Sequence, residues 1–311
     1  MNKPPSTNDV LPFGVLDLCK RSEKQTTGEA IADILKLGEL ADQVGYTRYW
    51  VAEHHVPYAA SSAPELLIPL LAARTKRIRV GTGGIIMGYY SPYRVAEIAN
   101  TLQTISDGRF DLGMCRGPGV TDEAIASELV GGNLWELDKG VFTRKIAKVI
   151  SLVNAADSQA RIKIHTTARR PPQLWVLGSN DSSVVLANDL HTSLALALFI
   201  TRDENKALVN SQRFQASAAI ENYSGRKVIL AVSVVCDDTD EKALMRHKKL
   251  LSEGTMPSNF IGSYKNVTGQ LLKLLGRFNV DELLIVQYSR NHHERMETYG
   301  SLAENYRLLK V

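Results

Sequence analysis

The chain of 311 residues is 44% hydrophobic and carries 37 Lys+Arg against 33 Asp+Glu, which suits a folded globular protein of one or two domains. A formal charge of +4, spread evenly, supplies no basic stripe of the kind that nucleic acid or an anionic membrane surface would need. No apolar run approaches the ~18 residues of a membrane span, and three distant cysteines, Cys19, Cys115 and Cys236, draw neither a C-x-x-C pair nor a disulfide framework.

The apolar stretch 10–18 is broken by Pro12, Gly14 and Asp17, a poor signal-peptide core. Together with the cysteines it leads us to expect a cytoplasmic protein. From there, short runs rich in β-branched and aromatic residues alternate with longer helical patterns, the signature of βα units on a parallel sheet. Strands are expected at about 13–19, 46–54, 78–87, 110–115, 173–178, 193–200, 228–236 and 282–287. Helical segments follow each one, at about 27–44, 64–75, 93–105, 141–153, 182–189, 203–218, 240–251 with 267–278, and 294–309. Eight βα units make an α/β protein of the (β/α)8 TIM barrel class. No linker divides the chain, so one domain over 1–311 is expected, with loop excursions at 117–137 and 252–266. Functional residues of such barrels gather at the C-terminal ends of the strands.

The second strand ends in Trp50-Val51-Ala52-Glu53-His54-His55. Three titratable groups in a row at a barrel mouth are hard to explain as packing, because each would need a buried partner. A metal is the weaker reading: strand neighbours point to opposite faces, and no H-x-x-x-H or C-x-x-C supplies further ligands. Glycines 81, 83 and 84 in the third strand mark a bulge or a place where a ligand approaches backbone. They form no dinucleotide fingerprint, since the third glycine would fall at Ile86. Cys115-Arg116-Gly117-Pro118-Gly119 ends the fourth strand with a guanidinium and free backbone N–H groups, the equipment for a phosphate. Gly178-Ser179-Asn180-Asp181-Ser182 ends the fifth and opens a helix, a second anion seat on the neighbouring strand. Two adjacent seats favour one phosphate.

The run 50–55, the segment 77–87 followed by Ser91-Pro92 and Ala96-Glu97, and the run 108–117 closely resemble bacterial luciferase-like flavin-dependent monooxygenases, a likeness that continues through 174–179 to 281–286. The resemblance implies a barrel that binds reduced FMN, reacts it with O₂ to a C4a-peroxyflavin, and oxygenates an organic substrate. By the same resemblance Arg116, Gly178, Ser179 and Ser182 would hold the flavin phosphate, and Glu53 and His54 would lie beside the isoalloxazine. Cys115 would sit near flavin C4a, and Gly83–Gly84 would form a non-proline cis peptide against the ring. Met87-Gly88-Tyr89-Tyr90 departs from the family's usual Met-Leu-Pro, so substrate identity does not carry over.

In this reading His54 handles the proton, its ordinary pKa near 6.5 suiting neutral pH, while Glu53 orients or polarises the site. The missing nicotinamide fingerprint implies a separate NAD(P)H:flavin reductase that delivers reduced FMN. A non-catalytic flavin-binding protein and an F420-dependent oxidoreductase are the alternatives. The stretch 62–73 is apolar nearly all round, which predicts a homodimer through that helix. The segment 252–266 reads as a short flexible loop, which predicts an open active site suited to a bulky or carrier-tethered substrate.

Overall fold

A computed structural model describes residues 10–117, 119–154, 161–220 and 225–310. Its strands, all parallel, are β1 (Phe13–Asp17), β2 (Arg48–Val51), β3 (Arg79–Thr82), β4 (Ile85–Ile86), β5 (Phe110–Cys115), β6 (Gln173–Gly178), β7 (Ser193–Ala197), β8 (Val228–Asp237), β9 (Phe260–Ser263) and β10 (Leu283–Gln287). Each neighbours the next in the order β1-β2-β3-β5-β6-β7-β8, and β10 pairs with both β8 (Ile285 beside Val232) and β1 (Phe13 beside Leu283), closing an eight-position barrel. The third position is filled by β3 and β4 in succession, parted by a cis Gly83–Gly84 peptide.

The helices are α1 (Thr27–Val44), α2 (Pro64–Arg74), α3 (Pro92–Ile105), α4 (Glu123–Leu129), α5 (Lys139–Asn154), α6 (Asp181–Asp189), α7 (Leu198–Thr201), α8 (Glu204–Ile220), α9 (Asp240–Ser252), α10 (Tyr264–Phe278) and α11 (His292–Lys310). Local chemistry sets their ends. Thr26 and Glu29 form a reciprocal capping box at the start of α1, and Gly45 ends it at φ 92°, a left-handed conformation glycine adopts without a Cβ penalty. Among the described residues no helix is long and apolar enough to cross a membrane.

Because helices cover the outside, the strands are buried on both faces and read as near-continuous apolar runs; β8 is buried along all but its last residue. The barrel interior is filled from the bottom up. At the floor Arg48, 1% exposed, donates to Asp111 at 2.6 Å and to Glu282 at 2.6 and 2.9 Å, while Arg79 and the Trp50 indole donate to Asp111 at 2.7 and 3.0 Å. Every charge in this plug is paired, the condition under which burial is tolerated. Above it Trp50 and Trp175 meet edge to face at 5.2 Å, with the Arg48 guanidinium 4.8 Å from the Trp175 ring. Above the tryptophans the lining shrinks to Ala52, Ala195, Ala197 and Ala231, and that change of side-chain size leaves a cavity at the C-terminal mouth.

Three expectations are corrected. Strand β2 stops at Val51, three residues short, because the chain leaves the sheet before Glu53 and His54. Strand β7 ends at Ala197, also three residues short, and 198–201 coil into α7. The segment after α9 is not wholly loop: β9 pairs with Val234–Asp237, of which 235–237 run beyond the pairing of β8 with β10. Asn259 locks its start, exchanging bonds with Ser233 through backbone and side chain at 2.8–3.1 Å. Burial of Phe260 on that free edge outweighs the glycine and proline signals nearby.

Candidate functional site

The mouth cavity has a volume of about 550 Å³, within the usual range for small-molecule sites. All nine residues singled out in the sequence, Glu53, His54, Gly83, Gly84, Cys115, Arg116, Gly178, Ser179 and Ser182, line it. They come from the ends of β2, β3, β5 and β6 and the loops beyond, where a parallel barrel presents its strand termini. A larger hollow of about 930 Å³ lies between the loop before α1, α9 and the start of α11. Its lining is charged with both signs, Lys24 and Arg246 beside Asp33 and Glu253, so it lacks the apolar walls of a binding cavity.

Glu53 is buried, and its carboxylate is fully engaged. It accepts from the Ile86 backbone N–H at 2.7 Å and the Tyr90 hydroxyl at 3.1 Å, and pairs with His55 Nε2 at 2.9 Å. The acid therefore ties the loop after β2 to the far half of the third strand. His54 faces the cavity half-buried, and its imidazole is pushed down to about 4 by burial first and the positive charge of Lys20 second. The expectation of a histidine titrating at neutral pH is corrected accordingly: desolvation disfavours the charged ring, which is neutral at pH 7.

Cys115 aims its thiol at the Gly84 carbonyl, 3.7 Å away. Burial, reinforced by the charge of Glu53, pushes it up to about 12, so the sulfur keeps its proton at neutral pH and is no nucleophile. Gly84 itself cannot carry a side chain: a Cβ there would stand 2.9 Å from the Gly113 carbonyl oxygen. The Gly83–Gly84 pair thus offers bare backbone to the cavity.

The anion-binding features lie side by side, as β5 and β6 are hydrogen-bonded neighbours (Met114 beside Val176). Arg116 is exposed at the cavity rim with no ion-pair partner among the described residues. Gly117 and Gly119 beyond it adopt φ 88° and 63°; Pro118, part of the predicted turn, lies outside the described residues. Opposite, Asn180 caps α6, accepting from Ser183 N–H at 3.3 Å and the Ser182 hydroxyl at 2.7 Å. At Gly178 a Cβ would come 1.8 Å from the Ser183 hydroxyl, so only glycine lets β6 turn this tightly into the helix start. A guanidinium, hydroxyls and the first N–H groups of a helix thus line one side of the same cavity, the donor types that bind a phosphate.

Sequence reasoning missed Lys20, Tyr58, Lys139, Phe142, Phe199, Met256 and Tyr288, which also line the cavity. Lys20 and Tyr288 follow the first and last barrel strands directly, so the strand-end rule could have flagged both; Lys139 and Phe142 come from α5 and carried no such signal. Among the described residues no group of three or more His, Cys, Asp or Glu side chains is placed to hold a metal ion.

Comparison with known proteins identifies the family and the fold. The family model described as luciferase-like monooxygenase matches residues 11–305. A luciferase-like monooxygenase of Escherichia coli (strain K12) is 30% identical over 85% of this chain and 76% of its own length. The N-acetyl-S-alkylcysteine monooxygenase of Bacillus subtilis (strain 168) is 26% identical over 95% of this chain and 98% of its own. Among solved structures, apo-MsnO8 superposes with a TM-score of 0.82 at 27% identity, covering 95% of this chain and 98% of that one.

Proposed function

The chain belongs to the luciferase-like monooxygenase family, and from that premise we propose that it is a flavin-dependent monooxygenase that uses reduced FMN and O₂ to oxygenate an organic substrate in the mouth cavity. The observation that supports a phosphate-bearing flavin is the Arg116 guanidinium, without an ion-pair partner among the described residues, on the strand next to the capped start of α6, with Gly178 keeping the approach clear. These residues fit a phosphate-bearing flavin, which would supply the electrons that activate O₂.

The chain's own residues then have separate tasks. Arg116, Ser179, Ser182 and the first N–H groups of α6 would hold the phosphate. The bare Gly83–Gly84 backbone would seat the ring, and Leu16, Leu18, Ile86, Phe142, Leu177 and Phe199 would keep water away from it. Cys115 holds its proton on Sγ and would meet the ring as a small neutral group. His54 presents a neutral imidazole that donates or accepts one hydrogen bond at the reacting centre, and Glu53 acts through the loop it fastens. Gly254, Thr255 and Met256 reach the rim from the segment before β9 and give partial cover.

Reduced FMN is taken from a separate NAD(P)H:flavin reductase. The protein works as a homodimer joined through α2, whose outer residues Leu66 and Leu70 are 68% and 46% exposed while Leu67, Ile68 and Leu71 fill the core. The reading is tested by supplying reduced FMN and isotopically heavy O₂ with a panel of organic substrates, beginning with thioethers of the class named for the Bacillus subtilis relative. Heavy oxygen in a product supports it; turnover with reduced F420 and none with FMN overturns it.

A further inference from the structure

Across the barrel mouth from Arg116 stands a second cation that the proposed flavin site leaves unused. Lys20, just beyond β1, lines the cavity. Backbone bonds hold it there: Lys20 bridges Ala59, the Arg21 N–H donates to the Tyr58 carbonyl at 2.9 Å, and the Ala60 N–H donates to the Cys19 carbonyl at 2.6 Å. The loops after β1 and β2 are zipped together by these bonds. The Lys20 ammonium lies 5.0 Å from the Tyr288 ring centre and 5.6 Å from that of Tyr58.

Its surroundings are positive. Arg290 stacks on Tyr58 at 4.6 Å, with its Nε buried and unpaired, and Arg295 is committed to Asp17. Among the described residues no carboxylate pairs with Lys20. Burial and the two arginines lower its pKa to about 8, which leaves it mostly protonated at neutral pH. A desolvated ammonium whose neighbours are cations and aromatic faces has only weak attraction to compensate it, and an incoming anion would supply the rest.

Strand order decides whose anion that is. Running round the barrel, β10 and β1 sit four positions from β5 and β6, on opposite sides of the mouth. A phosphate seated by Arg116 and α6 cannot also reach Lys20. Of these three cations only Lys20 lines the apolar cavity, Arg290 and Arg295 lying outside its lining, so the seat presents one ammonium, which suits a single negative charge on an apolar body. Resting on the flavin reading above, we propose that the substrate is an apolar-tailed carboxylate whose carboxylate docks on Lys20 while its tail lies toward the flavin ring.

The test is calorimetric titration of straight-chain alkyl carboxylates of increasing length, each against its primary amide, with and without saturating FMN. Wild type should bind at least one carboxylate roughly tenfold or more tightly than its amide. Lys20→Met should erase that preference while keeping amide and FMN affinity, and Lys20→Arg should retain it. The proposal is overturned if no carboxylate is preferred over its amide, or if the preference survives Lys20→Met. It is equally overturned if Lys20→Met weakens FMN as much as the carboxylate, which would assign the lysine to the cofactor. Should FMN fail to bind while the Lys20-dependent preference persists, the flavin reading falls and the carboxylate seat stands.

Discussion

Arg116 and His54 divide the labour of the cavity between charge and neutrality. A charge-assisted contact to phosphate contributes ~1.5–3 kcal/mol, so Arg116→Ala should weaken FMN binding by roughly 10- to 100-fold. Riboflavin, which lacks the phosphate, should bind the variant and the parent alike; equal losses for both flavins would remove Arg116 from the phosphate seat. His54 bears on stability. Its folded pKa of about 4 lies below the ordinary 6.5, so above pH 6.5 it contributes nothing to pH dependence. Between pH 6.5 and 4 the unfolded chain takes up a proton that the folded one refuses, and stability falls as pH drops, by on the order of 3 kcal/mol over the full window. His247 and His292 are depressed too, so the share of His54 is read by difference. Urea denaturation at pH 7 and pH 5 should show a smaller loss for His54→Asn than for the parent, and an equal loss would mean that the imidazole is not desolvated.

At the scale of elements, the mouth owes its shape to a floor that sequence motifs announced without explaining. Asp111 belongs to the run that carries the family likeness, yet it sits at the closed end, bound by Arg48, Arg79 and Trp50. Arg109 in the same run donates to the carbonyls of Ala72, Thr75 and Ile78 and fastens α2 to the barrel. Asp111→Ala should therefore cost about 3–5 kcal/mol by leaving buried guanidinium charge uncompensated, read as a shift of the denaturation midpoint, and a variant as stable as the parent would contradict this reading of the floor. The ends of β5 and β6 were legible to the residue because apolar runs stop there at Arg116-Gly117 and at Ser179-Asn180. The end of β2 was not, since Ala52 continues the apolar run although the chain has already left the sheet. Strand β9 was hidden for a different reason: a two-residue apolar pair, Phe260-Ile261, forms a strand only because β8 overruns its partner, a tertiary fact. The strand-end position of Lys20 was readable from the sequence, but its meaning comes from having no carboxylate partner among the described residues, which only the fold reveals.

The whole molecule places Arg116 and Lys20 on opposite sides of one apolar cavity, with the backbone of Gly83–Gly84 between them along the wall. On the readings proposed above, that arrangement would let a phosphate-bearing cofactor and a charged substrate share the pocket without competing for the same cation. On the outside, α2 exposes Leu66 and Leu70 along a face continuous with buried leucines. Such a face wants a cover, so sedimentation at micromolar concentration should find a dimer, and a Leu66→Glu/Leu70→Glu variant should be a monomer. A parent protein that sediments as a monomer would contradict the interface. The account as a whole rests on the identity and pose of the cofactor, and a crystal structure grown with FMN tests it most directly. The account predicts density for the flavin in the mouth cavity, its phosphate between Arg116 and the start of α6 and its ring on Gly83–Gly84. A flavin bound elsewhere, or a phosphate seated on Lys20 instead, would contradict it.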